Sequence, residues 1–217
     1  MWSYVDTGPV VERVLAQYSG IGWVGKNTCV INQQLGSWLF LGVVLTSLEL
    51  DADLPAPDRC GTCTRCLEAC PTRAFIGPYK LDASRCISYL TIEKRGAIPE
   101  GLREGIGRHV FGCDICQDVC PWNSKAPVSR SADFVPRQEL VSPALERLAT
   151  ISDEQFREAF RGSPVKRAKR SGIRRNAIIA MGNSGNTGFR PLLDDLVEDD
   201  DPVIAEHARW ARDKLDR

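Results

Sequence analysis

An α+β fold built from three consecutive modules follows from three features of this sequence. Eight of its nine cysteines are confined to residues 60–120. Before them, a helix-like stripe gives way to glycine turns and to β-branched and aromatic runs. After them comes a tail of short amphipathic segments. We place the modules at residues 1–54, 55–130 and 131–217. A chain of 217 residues that is 43% hydrophobic has apolar material for more than one small core.

Pro9 suits the first turn of a helix running to Tyr18, with Val10, Val14 and Leu15 along one stripe. The glycines of Gly20-Ile21-Gly22-Trp23-Val24-Gly25 form a turn. Thr28–Asn32 and Trp38–Ser47 read as strands joined at residues 33–36. Residues 51–59, with Pro55 and Pro57, form a linker. The cysteine module runs from Cys60 to Asn123, with an insertion at 87–112 and a helix predicted over Arg85–Lys94. Residues 125–143 are a proline-punctuated connection. In the tail, apolar stripes predict helices over Ile173–Met181, Arg190–Glu198 and Pro202–Leu215. These helices look HEAT-like, although so few repeats do not establish a period.

The cysteines carry the chemistry. Cys60-x2-Cys63-x2-Cys66-x3-Cys70-Pro71 is the bacterial ferredoxin run, in which three thiolates hold one [4Fe–4S] cluster and the fourth crosses to another. Cys113-x2-Cys116-x3-Cys120-Pro121 is a shortened second copy, and Cys86 supplies the thiolate it lacks. The crossing rule assigns Cys60, Cys63, Cys66 and Cys120 to cluster one. It assigns Cys70, Cys86, Cys113 and Cys116 to cluster two. A disulfide framework suits short secreted chains. A zinc ribbon does not need the full ferredoxin run, and neither His109 nor His207 has ligand spacing to the cysteines. Cys29 sits in an apolar stretch and reads as a small core residue. Thiolate clusters point to a reducing cytoplasm. The most apolar run, Trp38–Leu45, is far below the ~20 residues a membrane span needs.

Net charge is zero, but the charges are segregated. Arg161, Lys166, Arg167, Lys169, Arg170, Arg174 and Arg175 fall in a segment without an acid, while residues 194–201 hold six acids and no base. A solvated helix face competes with a phosphate-contacting surface, and the uncompensated cations favour the latter. Two short motifs mislead. Gly20-x-Gly22-x2-Gly25 spells a dinucleotide fingerprint, yet a helix precedes it and a strand follows, the reverse of what that fingerprint requires. Its glycines either form a tight turn or admit a flat or bulky ligand to the backbone. Asp6-Thr7-Gly8 spells the aspartic-protease triplet, a chemistry with no place for iron–sulfur clusters, and leaves Asp6 as a helix N-cap.

Several segments together resemble the epoxyqueuosine reductase family. They are Tyr4-Val5-Asp6-Thr7-Gly8-Pro9-Val10, Gly22-Trp23-Val24-Gly25-Lys26-Asn27-Thr28 and Gly36-Ser37-Trp38-Leu39-Phe40-Leu41-Gly42, then Cys86–Glu93, Gly112–Asn123 and Arg174-Arg175-Asn176-Ala177. The resemblance implies a cobalamin-binding α/β core in the first module, followed by the two-cluster domain and a HEAT-like tail. It implies reduction of epoxyqueuosine to queuosine at the wobble base of tRNA, with electrons passing from an external flavodoxin- or ferredoxin-type donor through the clusters to cobalamin. Asp6 takes the position of the family's acid, which displaces the cap reading. Cobalamin contacts are expected at Gly25, Lys26, Asn27, Val30, Leu41, Ser88, Ala97 and Asp114. Contacts to tRNA are expected at Lys94, Lys166, Arg167, Lys169, Arg170, Arg174 and Arg175, in a cytoplasmic monomer that touches no membrane. The family carries a domain before its Tyr-Val-Asp motif, so a form lacking that domain is expected here. A reductive-dehalogenase-like reductase would share the cofactors but leave the basic tail without a role. A chain that only carries electrons or binds tRNA is the non-enzymatic alternative.

Overall fold

The computed structural model describes residues 8–217. Helix α1 (Glu12–Tyr18) leads into a hairpin of β1 (Trp23–Val24) and β2 (Val30–Ile31). Helix α2 (Arg65–Ala69) lies in the first cysteine run and precedes a second hairpin, β3 (Phe75–Gly77) and β4 (Lys80–Leu81). Helices α3 (Ile87–Ile92) and α4 (Glu100–Ile106) occupy the insertion, and α5 (Ile115–Asp118) the second cysteine run. The tail contains α6 (Leu145–Ala149), α7 (Asp153–Ala159), α8 (Lys169–Asn183), α9 (Arg190–Leu196) and α10 (Pro202–Leu215). Helices mixed with small antiparallel sheets make an α+β fold. Among the described residues, no helix is long and apolar enough to cross a membrane.

The described residues divide into two compact units: 8–70, 75–81 and 115–129 form the first, and 71–74, 82–114 and 130–217 the second. The insertion thus belongs with the tail helices, although it interrupts the cysteine module in sequence.

In the first unit, β1 pairs antiparallel with β2 in the register Trp23↔Ile31 and Val24↔Val30. Trp23 and Ile31 are the buried pair, each 2% exposed. Gly22 is required here, because a Cβ would collide with the Ile31 carbonyl on the opposite strand. Helix α1 begins three residues later than Pro9 and is capped at Val11, which offers no side-chain acceptor. The strand expected over Thr28–Asn32 contracts to Val30–Ile31. The one expected over Trp38–Ser47 does not form: the segment joins no ladder among the described residues. A strand is held by paired neighbours, and here Phe40, Val44 and Leu45 stand 90%, 85% and 84% exposed. Apolar composition marked a strand that has no sheet to enter.

The second unit is organised by α8, buried from Gly172 to Gly182. Ile173, Ala177, Ile178 and Met181 pack with Leu148, Phe156, Leu193, Ile204 and Ala208 from α6, α7, α9 and α10. Ile179 faces instead a smaller cluster of Ile87, Leu90, Ile98 and Ile106. Gly182 lets α10 approach closely, since a Cβ there would lie 2.8 Å from the Ala211 Cα. Polar side chains of α8 fasten the insertion. Asn176 Nδ2 donates to Thr91 and Val110 carbonyls, each at 2.8 Å, and Asn183 Nδ2 to those of Arg103 and Gly107 at 2.8 and 2.9 Å. Helix α10 keeps its predicted bounds, with Asp201 accepting from the Val203 N–H at 2.9 Å. Helix α7 was not anticipated, although Ser152 and Gln155 form a reciprocal capping box legible as Ser-x-x-Gln.

His207 is fully buried in α10. Its Nε2 accepts from the Ile98 N–H at 3.2 Å, which leaves Nδ1 to donate to the Val203 carbonyl at 2.6 Å. Burial pulls its pKa down to about 4, with Arg103 and Arg175 adding to the pull, while the Val203 bond and Glu206 oppose it. A folded pKa below the unfolded one means this stability is present above pH ~6.5 and is lost as pH falls towards 4. We expect the melting temperature to drop across that window, with a stability change on the order of 3 kcal/mol. His207→Gln keeps an acceptor but cannot titrate, so its melting profile should be flatter between pH 6.5 and 4. An identical acid slope in the variant would place the titration elsewhere.

Candidate functional site

Cys60, Cys63, Cys66 and Cys120 line one small cavity in the first unit, walled also by Ile31, Pro121 and Trp122. These are the four cysteines that the spacing assigns to cluster one. Local structure explains their convergence. The Cys60 N–H is held by Asp58 Oδ1 at 2.8 Å, and a turn brings the Cys63 N–H to the Cys60 carbonyl at 3.2 Å. Cys66 sits in the first turn of α2, and Cys120 follows α5, its N–H on the Gln117 carbonyl at 3.0 Å. Pro121 then opens a 3-10 turn over Pro121–Asn123.

The thiols crowd one another. Burial pushes Cys66 up to about 11, with further contributions from neighbouring Cys116, Cys120 and Cys60. Burial raises Cys120 as well, helped by Cys60 and Cys63. A site that resists accumulating thiolates on its own suits a cationic guest that neutralises them, and ligation deprotonates a thiol outright. Among the described residues, no three His, Cys, Asp or Glu side chains close around a single ion. Each thiolate of a cubane binds its own iron, so its ligands surround a larger body than one ion. The donor set of four converging thiols fits such a cluster.

The glycine-rich turn supports this cavity. Lys26 Nζ donates to the Gly61 carbonyl at 2.6 Å and the Cys63 carbonyl at 2.9 Å. Asn27, 3% exposed, donates from Nδ2 to the Cys116 carbonyl at 3.3 Å, while its Oδ1 accepts from the Cys29 N–H at 3.2 Å. Trp23 meets Trp122 edge-on, with ring centroids 4.9 Å apart. Asn123 Oδ1 accepts from the Ser37 N–H at 2.7 Å, and the Ser37 hydroxyl donates to Gln117 Oε1 at 2.8 Å. The Tyr79 hydroxyl bonds to Asp58. That bond pushes Tyr79 up to about 12. Burial opposes ionisation of Asp58, but Tyr79 and the Cys60 N–H together hold its carboxyl below the usual range.

The other four predicted thiolates are placed within each unit. In the first, Cys70 ends α2 and Cys116 lies in α5. In the second, Cys86 precedes α3, and Cys113 packs against the Ile87–Ile106 cluster. Of the residues expected at cobalamin, Gly25, Lys26, Asn27, Val30 and Leu41 belong to the first unit, and Ser88, Ala97 and Asp114 to the second. The side chains of Lys26 and Asn27 are engaged with the cysteine loops, and the Lys26 carbonyl accepts from the Tyr79 N–H at 3.1 Å. Cys29 lies in the β1–β2 turn, where its carbonyl accepts from the Gly25 N–H at 2.8 Å. Asp6 lies outside the described residues.

The basic segment needs correction. Arg174 and Arg175 are 7% and 2% exposed and serve the interior rather than a phosphate surface. Arg174 Nη2 pairs with Asp199 Oδ2 at 2.5 Å and its Nε donates to the Ala149 carbonyl at 2.7 Å. Burial opposes the charge on Asp199, but Arg174 wins and keeps its carboxyl below the usual range. Arg175 bonds to the carbonyls of Leu90, Lys94 and Gly96. Among the remainder, Arg170 pairs with Asp153 at 2.9 Å and Arg167 with Glu93 at 2.6 Å. Lys166 and Lys169 are exposed, and Lys94 is half-buried beside Arg95 and Arg175. A charge run in sequence does not reveal which cations a helix turns inward; the apolar neighbours Ile173, Ala177 and Ile178 were the available sign.

Comparison with known proteins agrees with the chemistry of the cysteines. A family model described as a 4Fe-4S double cluster binding domain matches residues 59–123. An epoxyqueuosine reductase of Pseudomonas aeruginosa is 46% identical over 214 residues, covering 96% of this chain and 58% of that protein. One of Gloeobacter violaceus is 48% identical over 190 residues, covering 85% of this chain and 60% of that protein. A crystal structure of epoxyqueuosine reductase with a tRNA-Tyr epoxyqueuosine-modified tRNA stem loop superposes with a TM-score of 0.92 at 37% identity, covering 99% of this chain and 57% of that one. The chain therefore spans less than two thirds of the length of these relatives.

Proposed function

We infer the function of this chain from its family: through the segment it spans, it belongs to the epoxyqueuosine reductases. The reaction we propose is reduction of epoxyqueuosine to queuosine in tRNA, carried out together with the further length its relatives possess. The observation that carries this reading is the cavity of four converging thiols within a double-cluster domain, set in a chain whose relatives share that name. Removing an epoxide oxygen as water consumes two electrons and two protons, and two one-electron clusters suit such a delivery. Cluster one would be held by Cys60, Cys63, Cys66 and Cys120, and cluster two by Cys70, Cys86, Cys113 and Cys116. An external flavodoxin- or ferredoxin-type protein would supply the electrons.

Cobalamin, when bound, would supply the strongly reducing centre that acts on the epoxide. The backbone of the Gly25–Val30 turn, with Leu41, Ser88, Ala97 and Asp114, is our proposed contact set. Asp6 is the proposed proton donor. The tail helices are proposed as a HEAT-like holder for the anticodon stem-loop, in a cytoplasmic monomer. Of the expected phosphate contacts, Lys166 and Lys169 are exposed and are kept in the proposal, while the buried Arg174 and Arg175 are not.

The test uses a protein carrying this chain within the full length of its relatives, loaded anaerobically and given tRNA bearing epoxyqueuosine. Queuosine should form, measured by nucleoside mass spectrometry. The Lys166→Glu/Lys169→Glu double variant should bind that tRNA more weakly, with its log-affinity-against-log-salt slope shallower by about one per lost contact. Its cluster absorption should be unchanged. No conversion by a protein with both clusters loaded would refute the reaction, and unchanged affinity would refute the lysine surface alone.

A further inference from the structure

We propose that Lys26 is a positioning residue of cluster one that fixes its ligand loop and raises its reduction potential. The proposal rests on the two-cluster reading above and is independent of the epoxide reaction.

Lys26 comes from the β1–β2 turn, yet its side chain reaches 35 residues along the sequence to the loop between the first two ligands of the ferredoxin run. There it donates to the carbonyl of Gly61 at 2.6 Å and of Cys63 at 2.9 Å. Those two carbonyls bracket Thr62, so one ammonium pins the peptide that sets the separation of Cys60 from Cys63. The neighbouring Asn27 holds the second cysteine run in the same way, through the Cys116 carbonyl at 3.3 Å. One turn thus braces both runs of ligands. Of the two side chains only Lys26 brings a charge, and Arg65 is a second cation on the same cavity wall. Lys26 lines the cavity with Cys60, Cys63, Cys66 and Cys120, beside the apolar Ile31 and Trp122.

That placement has an electrostatic consequence. When the cluster accepts one electron from a donor, the iron–sulfur core and its thiolates gain one negative charge and no bond breaks. A fixed cation at the cavity wall stabilises the more negative state and moves the potential upward. Water reaches the bond to Gly61 and screens it, whereas the bond to Cys63 is half-buried and screened less. The competing possibility is a purely mechanical tether, which a neutral donor would replace.

Two variants separate these roles. Lys26→Gln retains a hydrogen-bond donor but loses the charge, and Lys26→Arg retains the charge and adds donors. Each chain is reconstituted anaerobically, its iron counted, and its clusters titrated with dithionite under electron paramagnetic resonance. The wild-type count, about eight irons per chain for two cubanes, tests the two-cluster reading. The difference between each variant and wild type tests Lys26. In Lys26→Gln, one of the two cluster signals should move to a more negative potential while the other stays, and about half of the iron should pass faster to a chelator. Lys26→Arg should restore both properties. A Lys26→Gln chain that titrates and holds iron as wild type does would overturn the proposal. So would equal loss from both clusters, or a Lys26→Arg chain as defective as Lys26→Gln.

Discussion

Arg175→Met should cost the chain about 3–5 kcal/mol of folding stability, a loss resting on bonds to a charged donor worth roughly 1.5–3 kcal/mol each. The guanidinium is 2% exposed and has no carboxylate partner among its bonds. Burial draws its pKa down to about 10, and nearby Arg95 adds to that pull. It stays charged at neutral pH because five donor contacts surround it. They reach the carbonyls of Leu90, Lys94 and Gly96 at 2.8, 3.0 and 2.6 Å, and Asn176 Oδ1 from both Nε and Nη2. Methionine fills much of the volume but leaves three carbonyls without that donor, and an unsatisfied buried acceptor costs more than the bond itself was worth. Lysine should recover only part of the loss, since a point charge cannot reproduce the fork. Urea unfolding of the iron-loaded chain measures the difference. Lys169→Ala, at an exposed position six residues earlier, should change stability by less than about 0.5 kcal/mol. A loss below ~1 kcal/mol in Arg175→Met would mean that water satisfies the carbonyls instead.

Arg175 also shows where sequence reasoning reached and where it stopped. The ferredoxin spacing pointed to Cys60, Cys63, Cys66 and Cys120 as one set, and a double-cluster family model covers that stretch. Those four line one cavity. Helix α10 was legible to the residue, since Asp201-Pro202 supplies a cap and a first-turn proline before a regular apolar stripe. The basic run misled because charge in sequence carries no direction. Arg174 finds Asp199 and Arg175 finds carbonyls 79–85 residues away, and neither pairing leaves a mark along the chain. The strand expected at Trp38–Ser47 misled for the opposite reason. Its β-branched and aromatic residues are those of a strand, but propensity does not provide a partner. Lys26 was singled out as part of a turn near a ligand, yet the carbonyls it binds belong to another module and were invisible to spacing.

Asp6→Asn, in a protein carrying this chain within the full length of its relatives, should lower turnover by about 10²–10⁴-fold, the range typical of a general acid. The epoxide oxygen leaves badly as an alkoxide, so a proton delivered to it lowers the barrier, and Asn keeps the shape of Asp without the proton. Had Asp6 capped α1, the helix N-terminus would favour its anion and work against a donor that must hold its proton. The cap position of α1 is instead Val11, and the helix begins at Glu12. Burial beside a bulky cofactor would then be left to raise the carboxyl pKa towards neutrality. The expected result is loss of the conversion step with iron content and tRNA affinity retained, and a rate profile in wild type that falls as pH rises through that pKa. Asp6→Glu, which restores a proton one methylene further out, should recover part of the rate. Turnover within threefold of wild type in Asp6→Asn, measured under single-turnover conditions with epoxyqueuosine tRNA, would assign the proton to another group.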